Sequence, residues 1–98
     1  MAKVYITEHT YATVRSGQPV SVVLMPPVAT QVITTSGTSQ QLTFNASTRL
    51  IRIHTDGIIS VEFGSGPTAT TNSARMAAGA TEYFEVQPSS KIALITNT

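Results

Sequence analysis

Hydrophobic and polar positions along this chain follow a period of two rather than three to four. The clearest stretch is residues 49–63, RLIRIHTDGIISVEF, in which two β-branched runs flank an Asp-Gly pair. Val, Ile and Thr dominate elsewhere too, and their stiff branched side chains suit a pleated surface. Strands are therefore expected near residues 3–7, 20–24, 30–35, 41–44, 49–55, 59–63, 82–86 and 92–96. Turn-forming groups separate them: Ser16-Gly17-Gln18-Pro19, Pro26-Pro27, Ser36-Gly37, Asn45-Ala46-Ser47, Asp56-Gly57, Gly64-Ser65-Gly66-Pro67 and Pro88-Ser89-Ser90. Seven or eight short strands at close spacing predict an all-β chain. The expected fold is a single-domain β-sandwich, jelly-roll-like, over residues 1–98, with 1–30 as an extended arm plus edge strands. The one helix expected is a turn or two near 73–78, where Asn72 or Ser73 caps and Gly79 stops it.

The Asp56-Gly57 pair permits a sharper expectation. A two-residue hairpin would pair Ile53 with Ser60 and Ile51 with Glu62, mixing apolar and polar on both faces. A shift of one residue pairs Ile53 with Val61, Ile51 with Phe63 and Arg52 with Glu62, which leaves one face apolar. An odd-length or bulged connection at 55–58 is thus favoured over the simplest hairpin; the alternative is an arch that sends the two strands into opposite sheets. On either reading Ile51, Ile53, Ile59, Val61 and Phe63 are core. Their expected partners are Val4, Ile6, Val22, Leu24, Val32, Phe44, Phe84, Val86, Ile92 and Leu94. The long unpatterned stretches 8–19 and 64–81 are expected to contact other subunits.

Composition narrows the function classes. Charged residues are 11% of the chain, below half the usual ~25%, and sixteen Thr with ten Ser supply the polarity instead. With 41% hydrophobic residues and a net charge of +1 the chain is not disordered. Little charge means little repulsion between neighbours and faces that are cheap to desolvate, which favours a subunit that buries surface in an assembly. Six Lys/Arg spread singly give no nucleic-acid footprint. The absence of Cys removes disulfides and thiolate chemistry. The first residues do not read as a secretory signal, and no apolar run reaches the ~18 residues of a membrane span, so a protein without membrane partner, made in the cytoplasm, is expected.

No cluster promises catalysis. His54, Asp56 and Ser60 lie near one turn but lack a nucleophile elbow and an oxyanion hole. His9, His54 and Asp56 are too scattered for a metal site, and Glu82 and Glu85 fall on opposite faces of one strand, unlike a glycosidase pair. Gly64-Ser65-Gly66-Pro67 lacks the Lys and spacing of a phosphate loop. No catalytic, metal or cofactor site is expected. Interface candidates are Arg49, Arg52 and Arg75, whose planar forks suit contacts between subunits, with His54, Met76 and the amphipathic Tyr5, Tyr11 and Tyr83.

Several blocks resemble small virion proteins encoded among tailed-bacteriophage head genes. They are Met1-Ala2-Lys3-Val4-Tyr5-Ile6-Thr7-Glu8, Phe44-Asn45-Ala46-Ser47-Thr48-Arg49 through Glu62-Phe63-Gly64, and Pro67-Thr68-Ala69-Thr70-Thr71-Asn72. The likeness continues in Arg75-Met76-Ala77-Ala78-Gly79, Glu82-Tyr83-Phe84 and Ile92-Ala93-Leu94-Ile95-Thr96-Asn97-Thr98. Such proteins resemble capsid cement or decoration proteins. The resemblance implies a non-enzymatic, homo-oligomeric β-sandwich, located on the phage head, whose partner is the major capsid protein. Competing expectations are a head–tail or tail component, a virion-surface carbohydrate-binding module, and a small cupin-like enzyme. The last two would need an aromatic groove or clustered His and carboxylates.

Overall fold

The computed structural model describes residues 2–10 and 27–98. Among these residues eight strands are formed: β1 (Lys3–His9), β2 (Ala29–Thr34), β3 (Gln40–Thr43), β4 (Leu50–Thr55), β5 (Ile59–Gly64), β6 (Ala74–Met76), β7 (Thr81–Glu85) and β8 (Lys91–Thr96). They make two four-stranded antiparallel sheets, ordered β2-β1-β4-β7 (sheet 1) and β3-β8-β5-β6 (sheet 2). The protein is an all-β, single-domain β-sandwich. Successive strands change sheet at every step except β1 to β2 and β5 to β6. This is the winding of a jelly roll, with the N-terminal strand filling an interior place in sheet 1. The expected strand at 20–24, and core residues Val22 and Leu24, lie outside the described residues.

The core lies between the sheets and follows strand parity. Sheet 1 contributes Val4, Ile6, Ile51 and Ile53, and sheet 2 contributes Ile59, Val61, Ile92 and Leu94, closed by Phe44 and Met76. Phe63, Phe84 and Val86 are half-buried against this cluster. Ile6 lies beside Ile53, and Val61 beside Leu94, so each sheet presents a continuous β-branched and Leu surface inward.

Four expectations are corrected. First, β4 and β5 do not form a hairpin of any register. They sit in opposite sheets, and residues 55–58 are the arch between them, so Arg52 and Glu62 do not pair. The reason is occupancy: β4 already has β1 on one side and β7 on the other. Matching apolar faces can meet across a core as well as side by side, so the alternation alone does not choose. The arch is clamped to the start of β1, where Lys3 N–H donates to Asp56 Oδ1 (2.7 Å) and Asp56 N–H to the Lys3 carbonyl (3.1 Å).

Second, residues 73–78 form no helix. Ala74–Met76 is a strand, with Met76 opposite Ile59 and Ala74 opposite Val61. A helix so short gains almost nothing from its own bonds, whereas pairing with β5 buries Met76. The chain then turns at Gly79, whose φ of +77° is the left-handed region that glycine adopts freely, and its N–H donates to the Thr55 carbonyl (2.9 Å).

Third, Val32 is not core. It is 51% exposed, and its neighbour Ile33 packs inward instead. Two adjacent β-branched residues leave parity open, and pairing with β1 decides it, since Val32 lies opposite outward-facing Tyr5. Fourth, the N-terminal strand is not an edge strand, and the rest of the expected arm, residues 11–26, lies outside the described residues. β1 is an interior strand, flanked by β2 and β4.

Candidate functional site

The two outer faces of the sandwich differ, and that difference defines the site. On sheet 2, Ser60 and Ala93 belong to the outward parity yet are fully buried. They are covered by the chain itself, through the segment 65–73. Pro67 and Ala69 of that segment are buried. The Pro67 carbonyl accepts from Gln41 Nε2, and Ala69 N–H donates to Ser39 Oγ (2.8 Å). Asn97 Nδ2 donates both to Ser60 Oγ (2.7 Å) and to the Thr71 carbonyl (3.2 Å), which ties the segment to the sheet below. The 64–81 stretch therefore packs in part on its own sheet.

Among the described residues no segment is bonded across the middle of sheet 1 in this way. Cross-strand register places Val32, Tyr5, His54 and Thr81 in one row across all four strands, and Thr30, Thr7, Arg52 and Tyr83 in the next. Among the described residues, Tyr5 (37% exposed), Val32 and Tyr83 (59%) are the exposed large hydrophobic residues, and all three are on this face. Lys3 Nζ lies 5.6 Å from the Tyr5 ring centroid, within cation–π range. The Tyr5 and His54 rings are 6.2 Å apart. His54 Nδ1 and Thr81 Oγ1 share a 2.8 Å hydrogen bond, which holds the imidazole across to β7. The result is a flat, sparsely charged surface of aromatic, β-branched and hydroxyl groups with Lys3 and Arg52 upon it.

Of the interface candidates, Tyr5, Arg52, His54 and Tyr83 are brought together here. Arg49, just before β4, and Arg75, on β6, are exposed but elsewhere. Met76 is 2% exposed and packs in the core, so it is not surface for a partner. Tyr11 lies outside the described residues. Val32, Thr81 and Lys3 were missed; the signal that finds them is the outward parity of Tyr5 carried across the register. His54, Asp56 and Ser60 are not assembled, since Ser60 is buried on the other sheet and Asp56 is engaged with Lys3. Among the described residues no three His, Cys, Asp or Glu side chains converge as metal ligands.

One buried carboxylate also went unread. Glu8 continues the inward parity of Val4 and Ile6 and is fully enclosed. Its Oε1 accepts from the Asn45 N–H (2.8 Å) and the Thr48 hydroxyl (2.6 Å), and its Oε2 from Gln31 Nε2. These bonds fasten the 45–48 turn and β2 to β1, which is a structural role. Comparisons with protein-family models, with curated proteins and with solved structures found no match for this chain.

Proposed function

We propose that this protein is a non-catalytic structural component of a phage virion, a cement or decoration subunit that docks on the head through the outer face of sheet 1. The observation that carries the docking reading is an asymmetry among the described residues: on sheet 2 the outward Ser60 and Ala93 are buried under the protein's own segment 65–73, whereas the outer face of sheet 1 holds the exposed Tyr5, Val32 and Tyr83. The capsid as partner comes from the resemblance of the sequence blocks, and the low charge accords with it. Four strands about 4.8 Å apart and six residues at ~3.3 Å each give a face of roughly 19 by 20 Å, or ~400 Å² in projection. That is about half of the ~800 Å² per partner of a standard interface. One such contact is weak, so occupancy gains from repetition on a lattice and from association between copies. Arg52 and the tyrosines are the residue types that dominate such contacts.

Heads assembled without the protein supply the test. Wild-type protein should co-sediment saturably and raise the shell's resistance to heat; absence of binding would remove the proposal. Arg52→Glu leaves the fold unchanged by circular dichroism, because its side chain stands on the outer face, and weakens attachment by ~30-fold, about 2 kcal/mol. A second reading, a carbohydrate-binding module, draws on Tyr5 and Tyr83 sharing one face. A glycan array separates the two: retention of a sugar that Tyr83→Ala abolishes would favour it.

A further inference from the structure

The outer face of sheet 1 ends at β7, and the edge there has features the face alone does not explain. β7 pairs with β4 on one side and, among the described residues, has no strand on the other. The bonds from Val86 N–H to the Arg49 carbonyl and from Thr55 N–H to the Ala80 carbonyl fix the phase of the ladder. Bonded pairs alternate in an antiparallel ladder, so the even residues Glu82 and Phe84 bond to β4. The backbone groups of Thr81, Tyr83 and Glu85 therefore point away from the sheet, toward an edge that no described residue pairs with. Beside that edge is a cleft of about 270 Å³ lined by Phe63, Phe84, Val86 and Gln87, with Glu85 also on its wall. It exists because β6 stops opposite Val61, leaving Phe63 without a neighbour from that strand. The Phe63 and Phe84 rings, 5.0 Å apart, form its floor. Glu82, exposed, has the same inward parity as Phe84 and stands two residues away.

We propose that the β7 edge is a strand-addition site for an extended segment that carries an apolar side chain and, two positions away on the same face, a Lys or Arg. The added strand bonds to the backbone of Thr81, Tyr83 and Glu85, in the manner of β-augmentation. Its apolar residue opposite Phe84 enters the cleft between the sheets, and its cation opposite Glu82 neutralises that carboxylate. An inward-facing charge on an edge strand is a usual guard against indiscriminate pairing. Here Glu82 also selects, since a partner with an acidic or apolar residue at that place leaves it unpaired. This inference rests on the docking reading and gives the partner's contact a chemistry: the segment lies on whichever protein surface the face covers.

Two measurements decide it. The first needs no phage head. A blocked peptide, Val-Thr-Leu-Thr-Lys-Thr, is titrated into the labelled full-length protein and followed by amide chemical shifts. Shifts should centre on Thr81, Tyr83 and Glu85, and the same peptide with Glu for Lys should need at least ~5-fold more for equal effect. No shift at about 5 mM peptide, shifts centred elsewhere, or equal response to both peptides would overturn the site. Protection of the β7 amides by raising protein concentration alone would also overturn it, making a second copy the occupant. The second uses heads. Tyr83→Pro removes an N–H that bonds to none of the described residues, and proline is tolerated at such edge positions; Tyr83→Thr keeps the N–H. Attachment should fall at least 30-fold more for the proline variant than for the threonine variant. Should Tyr83→Pro fail to fold, Glu82→Lys, a surface change, replaces it, with a 10-fold loss expected. Wild-type attachment that ignores these substitutions sinks the edge site and leaves the cement reading standing. Peptide binding without attachment to heads does the reverse.

Discussion

Replacing Glu8 by alanine lowers stability by about 4 kcal/mol, seen as a fall in melting temperature of roughly 15–25 °C. The carboxylate is fully enclosed and accepts three hydrogen bonds, from Asn45 N–H, the Thr48 hydroxyl and Gln31 Nε2. Alanine removes the acceptor of all three, and while exposed Asn45 and partly exposed Gln31 have access to water, Thr48 does not. Thr48 is itself fully buried, so its hydroxyl has no route to water, and an unsatisfied buried donor costs about 1–3 kcal/mol. The lost side-chain volume adds a cavity at the end of the core. Glu8→Gln separates bonding from volume. Its carbonyl oxygen still accepts from Asn45 and Thr48, and Gln31 meets the new NH2 group by turning its amide. A loss of only ~1–2 kcal/mol is therefore expected. Equal losses for the two variants, measured by urea unfolding, would refute this account of the bonds.

Ile53→Ala is expected to cost about 3–4 kcal/mol, whereas Val32→Ala costs less than ~0.5 kcal/mol. Ile53 is wholly buried at the centre of sheet 1, beside Ile6, and truncation opens a cavity that two packed sheets cannot collapse around. Val32 is half exposed and outward. The contrast tests the register directly: a β2 slipped by one residue would make Val32 buried and Ile33 exposed, and the two costs would approach each other. Attachment to heads should respond the other way for Val32. Its substitution by Asp places a charge on the β2 side of the proposed docking face, beside Tyr5, while leaving the fold intact.

The positions of most strands were legible because β-branched residues and turn formers each act locally. Seven expected strands correspond to seven formed ones, with β6 unannounced. A three-residue strand has too little pattern of its own, and Ala74-Arg75-Met76 reads locally as a helix fragment. Val32 was misassigned for a related reason. In the pair Val32-Ile33 either residue is an equally good inward side chain, and only the partner strand breaks the tie. Of the candidate site, Tyr5, Arg52, His54 and Tyr83 were chosen as residue types suited to interfaces, and the register set them side by side. Nothing in the linear order placed Val32 next to Tyr5 or Thr81 next to His54.

By itself the sequence determined that the chain forms short strands, that one face of each is apolar, and that ionic chemistry is scarce. These follow from side-chain shape and alternation, properties of residues one or two positions apart. The tertiary structure alone decided that β4 and β5 lie in opposite sheets, that Glu8 is enclosed, and that residues 65–73 pack over part of sheet 2. Each depends on which strand occupies a neighbour's free edge, and hydrogen bonding along an edge is indifferent to the distance in sequence between the strands that share it.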